Sequence, residues 1–94
     1  MSERTAPALK KLDELLAVLK SRPKSDGRDR LTEEAEALRR AVAAFHMEAI
    51  RFRMYSVDRE LAHASEDVQG RQLFEELRHE LEAAGFHTRS HTAP

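Results

Sequence analysis

Residues 32–69 read TEEAEALRRAVAAFHMEAIRFRMYSVDRELAHASEDVQ, and the way this stretch is divided decides the fold. Thr32 is a good helix N-cap, and Glu33, Glu34 and Glu36 follow it at the positive end of a helix dipole. Leu38, Val42, Phe45, Ala49 and Phe52 then form one apolar seam at helical spacing. Ala43, Met47, Ile50, Met54, Val57 and Leu61 form a second seam, centred about 150° away at 100° per residue. A helix that is apolar on two faces has to be covered on two faces. Ser65-Glu66-Asp67 resembles a fresh N-cap, but Val68 continues the phase of Val57 and Leu61. Phase therefore predicts one long helix over 32–69, with the break at Gly70 rather than at Ser65.

The flanking segments are simpler. Pro7 suits a first helical position, and Leu9, Leu12, Leu15, Leu16 and Leu19 make a stripe that predicts a helix over 6–21. Pro23 disfavours helical geometry in Arg22, so residues 22–30 read as a polar loop. Leu73, Phe74, Leu77, Leu81 and Ala84 define a last amphipathic helix over 71–84, stopped by Gly85, with Phe86 placed to fold back on its end. The expectation is an all-α single domain over 1–86, with three helices and a long central one, followed by a flexible tail over 87–94.

Composition agrees. Ala, Glu, Lys, Leu and Arg make up 53 of the 94 residues, whereas Val, Ile and Thr supply only nine. Straight-chain residues keep their rotamer freedom in helices, and strands need the branched and aromatic residues that are scarce here. A β-sandwich and a barrel are excluded, a doubly wound α/β sheet is strongly disfavoured, and three glycines do not make a Gly-rich phosphate loop.

A helix from 32 to 69 would be about 57 Å long, and two flanking helices near 22 Å cannot cover both of its seams. Two arrangements answer this: a helical bundle, or an antiparallel homodimer of the long helix. The expected function is a small non-enzymatic protein–protein interaction module, an adaptor or assembly subunit that self-associates through Met47, Ile50, Met54, Val57 and Leu61.

The net charge of −1 draws the chain neither to nucleic acid nor to a membrane surface. Charge is unevenly spread, at +3 over 1–31 and −3 over 32–69, so the N-terminal part could dock on acidic partners in cis or from another subunit. The absence of cysteine, of a long apolar run and of a leader-like stretch reads as cytoplasmic.

One constellation carries metal chemistry. Glu60 and His63 lie at i and i+3 on one side of a helix, and Asp67 joins them if that helix continues. Carboxylate and imidazole at this spacing bind Fe, Mn or Zn in helical bundles. Over 48–67 the pattern resembles encapsulated-ferritin-like and rubrerythrin-like iron proteins, a resemblance that implies a ferritin-like metal-binding or oxidase protein. Glu48, about 100° from Glu60 and His63, departs from that pattern. A chain with 12 Glu and 5 His produces E-x-x-H by chance, and the copy at Glu76 and His79 points away from its own apolar stripe. His87 and His91 pair two imidazoles without a rigid frame. Arg39, Arg40, Arg51 and Arg53 bracket the seams, and with Tyr55 they form a weak nucleic-acid alternative among interleaved acids.

Overall fold

Phe45 stands at φ 61°, and that one backbone conformation ends the long helix. In the computed structural model, which describes residues 3–64 and 67–86, a 3₁₀ turn (Glu3–Thr5) leads into four helices: α1 (Ala6–Lys20), α2 (Asp26–Ala43), α3 (Met47–His63) and α4 (Val68–Ala83). The chain is all-α among the described residues, with four helices where three were expected. Ser65, the alternative break that phase argued against, and the tail over 87–94 lie outside the described residues.

The long helix is corrected at three points, each with a local cause. Its start moves to Asp26, because Ser25 Oγ accepts the Arg28 N–H at 3.1 Å and so caps the helix. Thr32, the expected cap, lies inside α2 and its hydroxyl donates to the Arg28 carbonyl one turn back. Its middle breaks at residues 44–46 in a Schellman turn. The His46 N–H reaches the Ala41 carbonyl at 3.1 Å, and the Phe45 N–H reaches Val42 at 3.0 Å. His46 Nδ1 then accepts the Ala49 N–H at 3.2 Å and caps α3. Its end falls at His63, short of Gln69, and Asp67 opens α4 by accepting the Gly70 N–H at 2.9 Å. Gly70 is therefore inside the first turn of α4 and is not a helix stop.

The break resolves the two-seam problem. The seams point about 150° apart on one straight helix, but a reversal between them turns both toward one core. The α2 half contributes Leu31, Ala35, Leu38 and Val42, and the α3 half contributes Ile50, Met54, Val57 and Leu61. Most members of each seam in the other half are left outside, with Ala49 half-buried at the core margin. Ala43 is exposed on α2, Phe52 is exposed on α3, and Val68, placed on the second seam by phase, is 72% exposed.

The flanking stripes pack as read. Leu12, Leu15, Leu16 and Leu19 of α1 meet Phe74, Leu77 and Leu81 of α4 in the same core, with Leu9 and Leu73 half-buried at its margin. Alternating helix directions place the α1–α2 and α3–α4 connections at one end. The closest packed pairs are α2 with α3, α1 with α4 and α1 with α2, and α3 packs less extensively on α4. The radius of gyration of 12.4 Å equals the value of about 12.4 Å that a compact chain of this length should have.

At the other end, α4 closes with the same turn as α2. Gly85 has φ 98°, and the Phe86 N–H bonds the Leu81 carbonyl at 2.8 Å. The rings of Phe45 and Phe86 meet at 5.2 Å, Arg4 lies 5.5 Å over Phe45, and Arg4 also donates to the Ala84 carbonyl. Three chain segments are thereby tied together.

Charges on different helices pair with one another in cis. Asp13 of α1 pairs with Arg39 of α2 at 2.7 Å, Lys20 with Glu36 at 3.2 Å, and Lys11 with Glu76 of α4 at 2.9 Å. Glu34 of α2 holds Arg53 of α3 at 3.0 Å. Hydrogen bonding from Arg39 holds the Asp13 carboxyl below the usual carboxylate range, and Lys11 does the same to Glu76.

Candidate interaction face and cavity

Four of the five residues expected to form a sticky face are inside the fold. Ile50, Met54, Val57 and Leu61 are 0% exposed, and Met47 is half-buried against the same core. They are a core stripe of α3, because the reversal at Phe45 points their seam inward. The opposite side of α3 faces solvent.

That outer side is a stripe in its own right. Glu48, Phe52, Tyr55 and Arg59 are all exposed and follow one another at steps of four, three and four residues. They span about 60° of the helix. Phe52 is 57% exposed and Tyr55 43%, although neither sits in the core that the rest of α3 builds. Arg53 lies 5.0 Å over the Phe52 ring and Arg59 lies 5.7 Å over Tyr55. Glu48, Arg51, Phe52 and Tyr55 line a shallow depression of about 230 Å³. Arg51 presents a buried Nε that has no acceptor among the described residues.

The three metal candidates are brought to one place. Glu60 and His63, in the last turn of α3, and Asp67, at the start of α4, line a cavity of about 230 Å³ between the two loop connections. Arg22, Arg28 and Arg30 line it with them. Asp67 Oδ1 accepts both the Gly70 N–H at 2.9 Å and Arg22 Nη2 at 2.6 Å. Glu60 faces Arg30 at 3.7 Å, and His63 is exposed at the rim. Among the described residues no three His, Asp or Glu side chains converge to hold a metal ion. Guanidinium groups stand where a cation would need further carboxylates.

The remaining candidates resolve separately. Glu76 of the second E-x-x-H is engaged by Lys11 and, at 3.3 Å, by Gln72, while His79 is exposed. His87 and His91 lie outside the described residues. Arg39 and Arg53, two of the arginines considered for phosphate contact, are held by Asp13 and Glu34.

The outer stripe of α3 was within reach of the sequence, since its 4-3-4 spacing is plain at 48, 52, 55 and 59. Assigning Phe52 to a buried seam concealed it, and only the location of the helix break frees that ring. No helix among the described residues is long and apolar enough to cross a membrane. No protein-family model matches the chain, and no curated protein and no solved structure is significantly similar to it.

Proposed function

We propose that the chain is a small non-enzymatic protein–protein interaction module that self-associates through the outer face of α3. The observation that carries this reading is the exposure of Phe52 and Tyr55, one turn apart, within a stripe that is complementary to itself. In an antiparallel pairing of two α3 helices about a two-fold axis between residues 53 and 54, Phe52 lies opposite the second copy's Tyr55. In the same register, Glu48 lies opposite its Arg59. Each contact occurs twice, as an isologous interface requires.

The chemistry suits an interface. Aromatic and arginine side chains are the usual anchors of protein contacts, and aromatic pairs add about 0.5–1.5 kcal/mol each beyond the area they bury. A single helix face buries less than a standard interface, so the dimer is a weak one, with a dissociation constant on the order of tens of micromolar. Arg51, whose Nε has no acceptor among the described residues, borders the same depression.

Sedimentation equilibrium tests the proposal. The wild type should gain mass toward a dimer as concentration rises through that range, and Phe52→Glu should stay monomeric with an unchanged helical circular dichroism spectrum. A wild type that remains monomeric throughout would remove the self-association. The ferritin-like alternative has the shared cavity of Glu60, His63 and Asp67 in its favour, and the arginine beside each carboxylate against it.

A further inference from the structure

The cavity between the α1–α2 and α3–α4 connections is built around guanidinium groups. Arg22, Arg28 and Arg30 reach it from one side, and Glu60 and Asp67 from the other, which leaves the lining with a surplus of positive charge. From this arrangement we infer that the cavity binds a small phosphate monoester, its dianionic head on the arginines and its carbon body on Leu19, Pro23 and Leu31.

The arginines hold donors in reserve. The guanidinium carries five N–H donors in a planar fork suited to phosphate oxygens. Arg22 uses Nη2 on Asp67. Arg28 directs Nε and Nη2 at a single oxygen of Asp29, at 3.1 and 2.7 Å. Arg30 approaches Glu60 only to 3.7 Å, longer than a hydrogen bond, and its side chain is 62% exposed. Glu60 and Asp67 compete with a ligand for the arginines, and a dianion can engage Arg28 and Arg30 without displacing Asp67 from Arg22.

The volume of about 230 Å³ admits a phosphoryl group with a short carbon chain. Leu19, Leu31, Pro23 and Ala64 supply an apolar wall for that chain. At the rim, Gly27 has open space where a side chain would stand, since a Cβ built there meets nothing within 4 Å. This site is separate from the outer stripe of α3 and does not depend on self-association.

Titration calorimetry and thermal shift with n-propyl phosphate and with inorganic phosphate test the inference, against sodium chloride at matched ionic strength. n-Propyl phosphate should bind and raise the melting temperature above the chloride control, and inorganic phosphate, which lacks the carbon chain, should bind more weakly. Arg30→Gln should weaken binding at least fivefold, and Glu60→Gln, which removes a competing carboxylate, should tighten it. Gly27→Glu separates binding from folding. It replaces a helical glycine at a helix start with a favourable acid, so it should raise the ligand-free melting temperature while weakening the phosphate ester. Phe52→Glu should leave the affinity unchanged. Binding no stronger than chloride, or affinity that none of the cavity substitutions moves, would overturn the inference. Stabilisation by Mn²⁺ or Zn²⁺ in place of the phosphate ester would also overturn it.

Discussion

Phe45 and Phe86 lie 5.2 Å apart, each beside a helix end closed by the same Schellman turn, yet only one of the two turns has a glycine in the left-handed position. At the end of α4, Gly85 takes that position and Phe86 follows it; at the end of α2, Phe45 occupies it directly. An L-residue in this conformation costs about 1–2 kcal/mol, which the ring contact with Phe86 and the Arg4 guanidinium offset.

The two contributions at Phe45 can be separated. Phe45→Ala keeps the backbone cost and loses the ring, so it should destabilise by about 1–2 kcal/mol. Phe45→Gly loses the same ring but relieves the backbone, and it should be more stable than the alanine variant by about 1 kcal/mol. Urea unfolding of the three proteins gives both differences. An alanine variant as stable as the glycine variant would contradict the strained turn.

Met54 distinguishes a core stripe from a surface. It is fully buried, so Met54→Ala should cost about 2–5 kcal/mol of folding stability in urea titration. Met54→Glu should fail to fold. A well-folded Met54→Glu protein whose only defect is in association would mean that this side of α3 faces outward.

Gly70 and Asp67 are coupled through 2.9 Å. A Cβ on residue 70 would lie at that distance from the Asp67 carboxylate that caps α4. Gly70→Ala should therefore bring no gain in the wild type, because the helix preference of alanine is cancelled by displacement of the cap. In an Asp67→Ala background, where the cap is already lost, the same change should stabilise by about 1 kcal/mol. Additive effects across this double-mutant cycle would rule out the coupling.

Acid should weaken the fold through its ion pairs, two of them between helices and one within α2. Arg39 lowers the Asp13 pKa, Lys11 lowers that of Glu76 and Arg28 lowers that of Asp29, in each case chiefly by a hydrogen bond to the carboxylate. A carboxylate with a depressed folded pKa contributes stability that is present above its unfolded pKa and lost as pH falls through the folded one. Stability should thus be level above about pH 5 and decline below about pH 4. Asp13→Asn and Glu76→Gln should each flatten the decline measured by urea midpoint against pH. An undiminished slope in both variants would place the acid sensitivity elsewhere.

Much of the architecture was legible because two stripes were unambiguous. Leu12, Leu15, Leu16 and Leu19, and Phe74, Leu77 and Leu81, each have one phase and one face, and both became core. The stretch from 32 to 69 misled because neither apolar phase is interrupted at the turn. The reversal is made by Phe45, a residue that reads as part of a seam and carries no turn signal, where a glycine would have announced it. Ser25 was an equally good cap, but Pro23 and Gly27 around it read as loop, and α2 starts between them. The candidate metal residues share one cavity, although the helix that would have aligned Asp67 with Glu60 and His63 ends at His63. The three arginines that meet them come from the distant α1–α2 connection and the first turns of α2, a proximity that only the folded chain creates.

The antiparallel register of α3 makes the most direct test, because it fixes which charges meet. Sedimentation equilibrium on Glu48→Arg, on Arg59→Glu and on the double variant should find the two single variants monomeric, each with like charges opposed, and the double variant dimerising as the wild type does. Three variants that all associate like the wild type, or a double variant that stays monomeric, would contradict pairing through the outer face of α3.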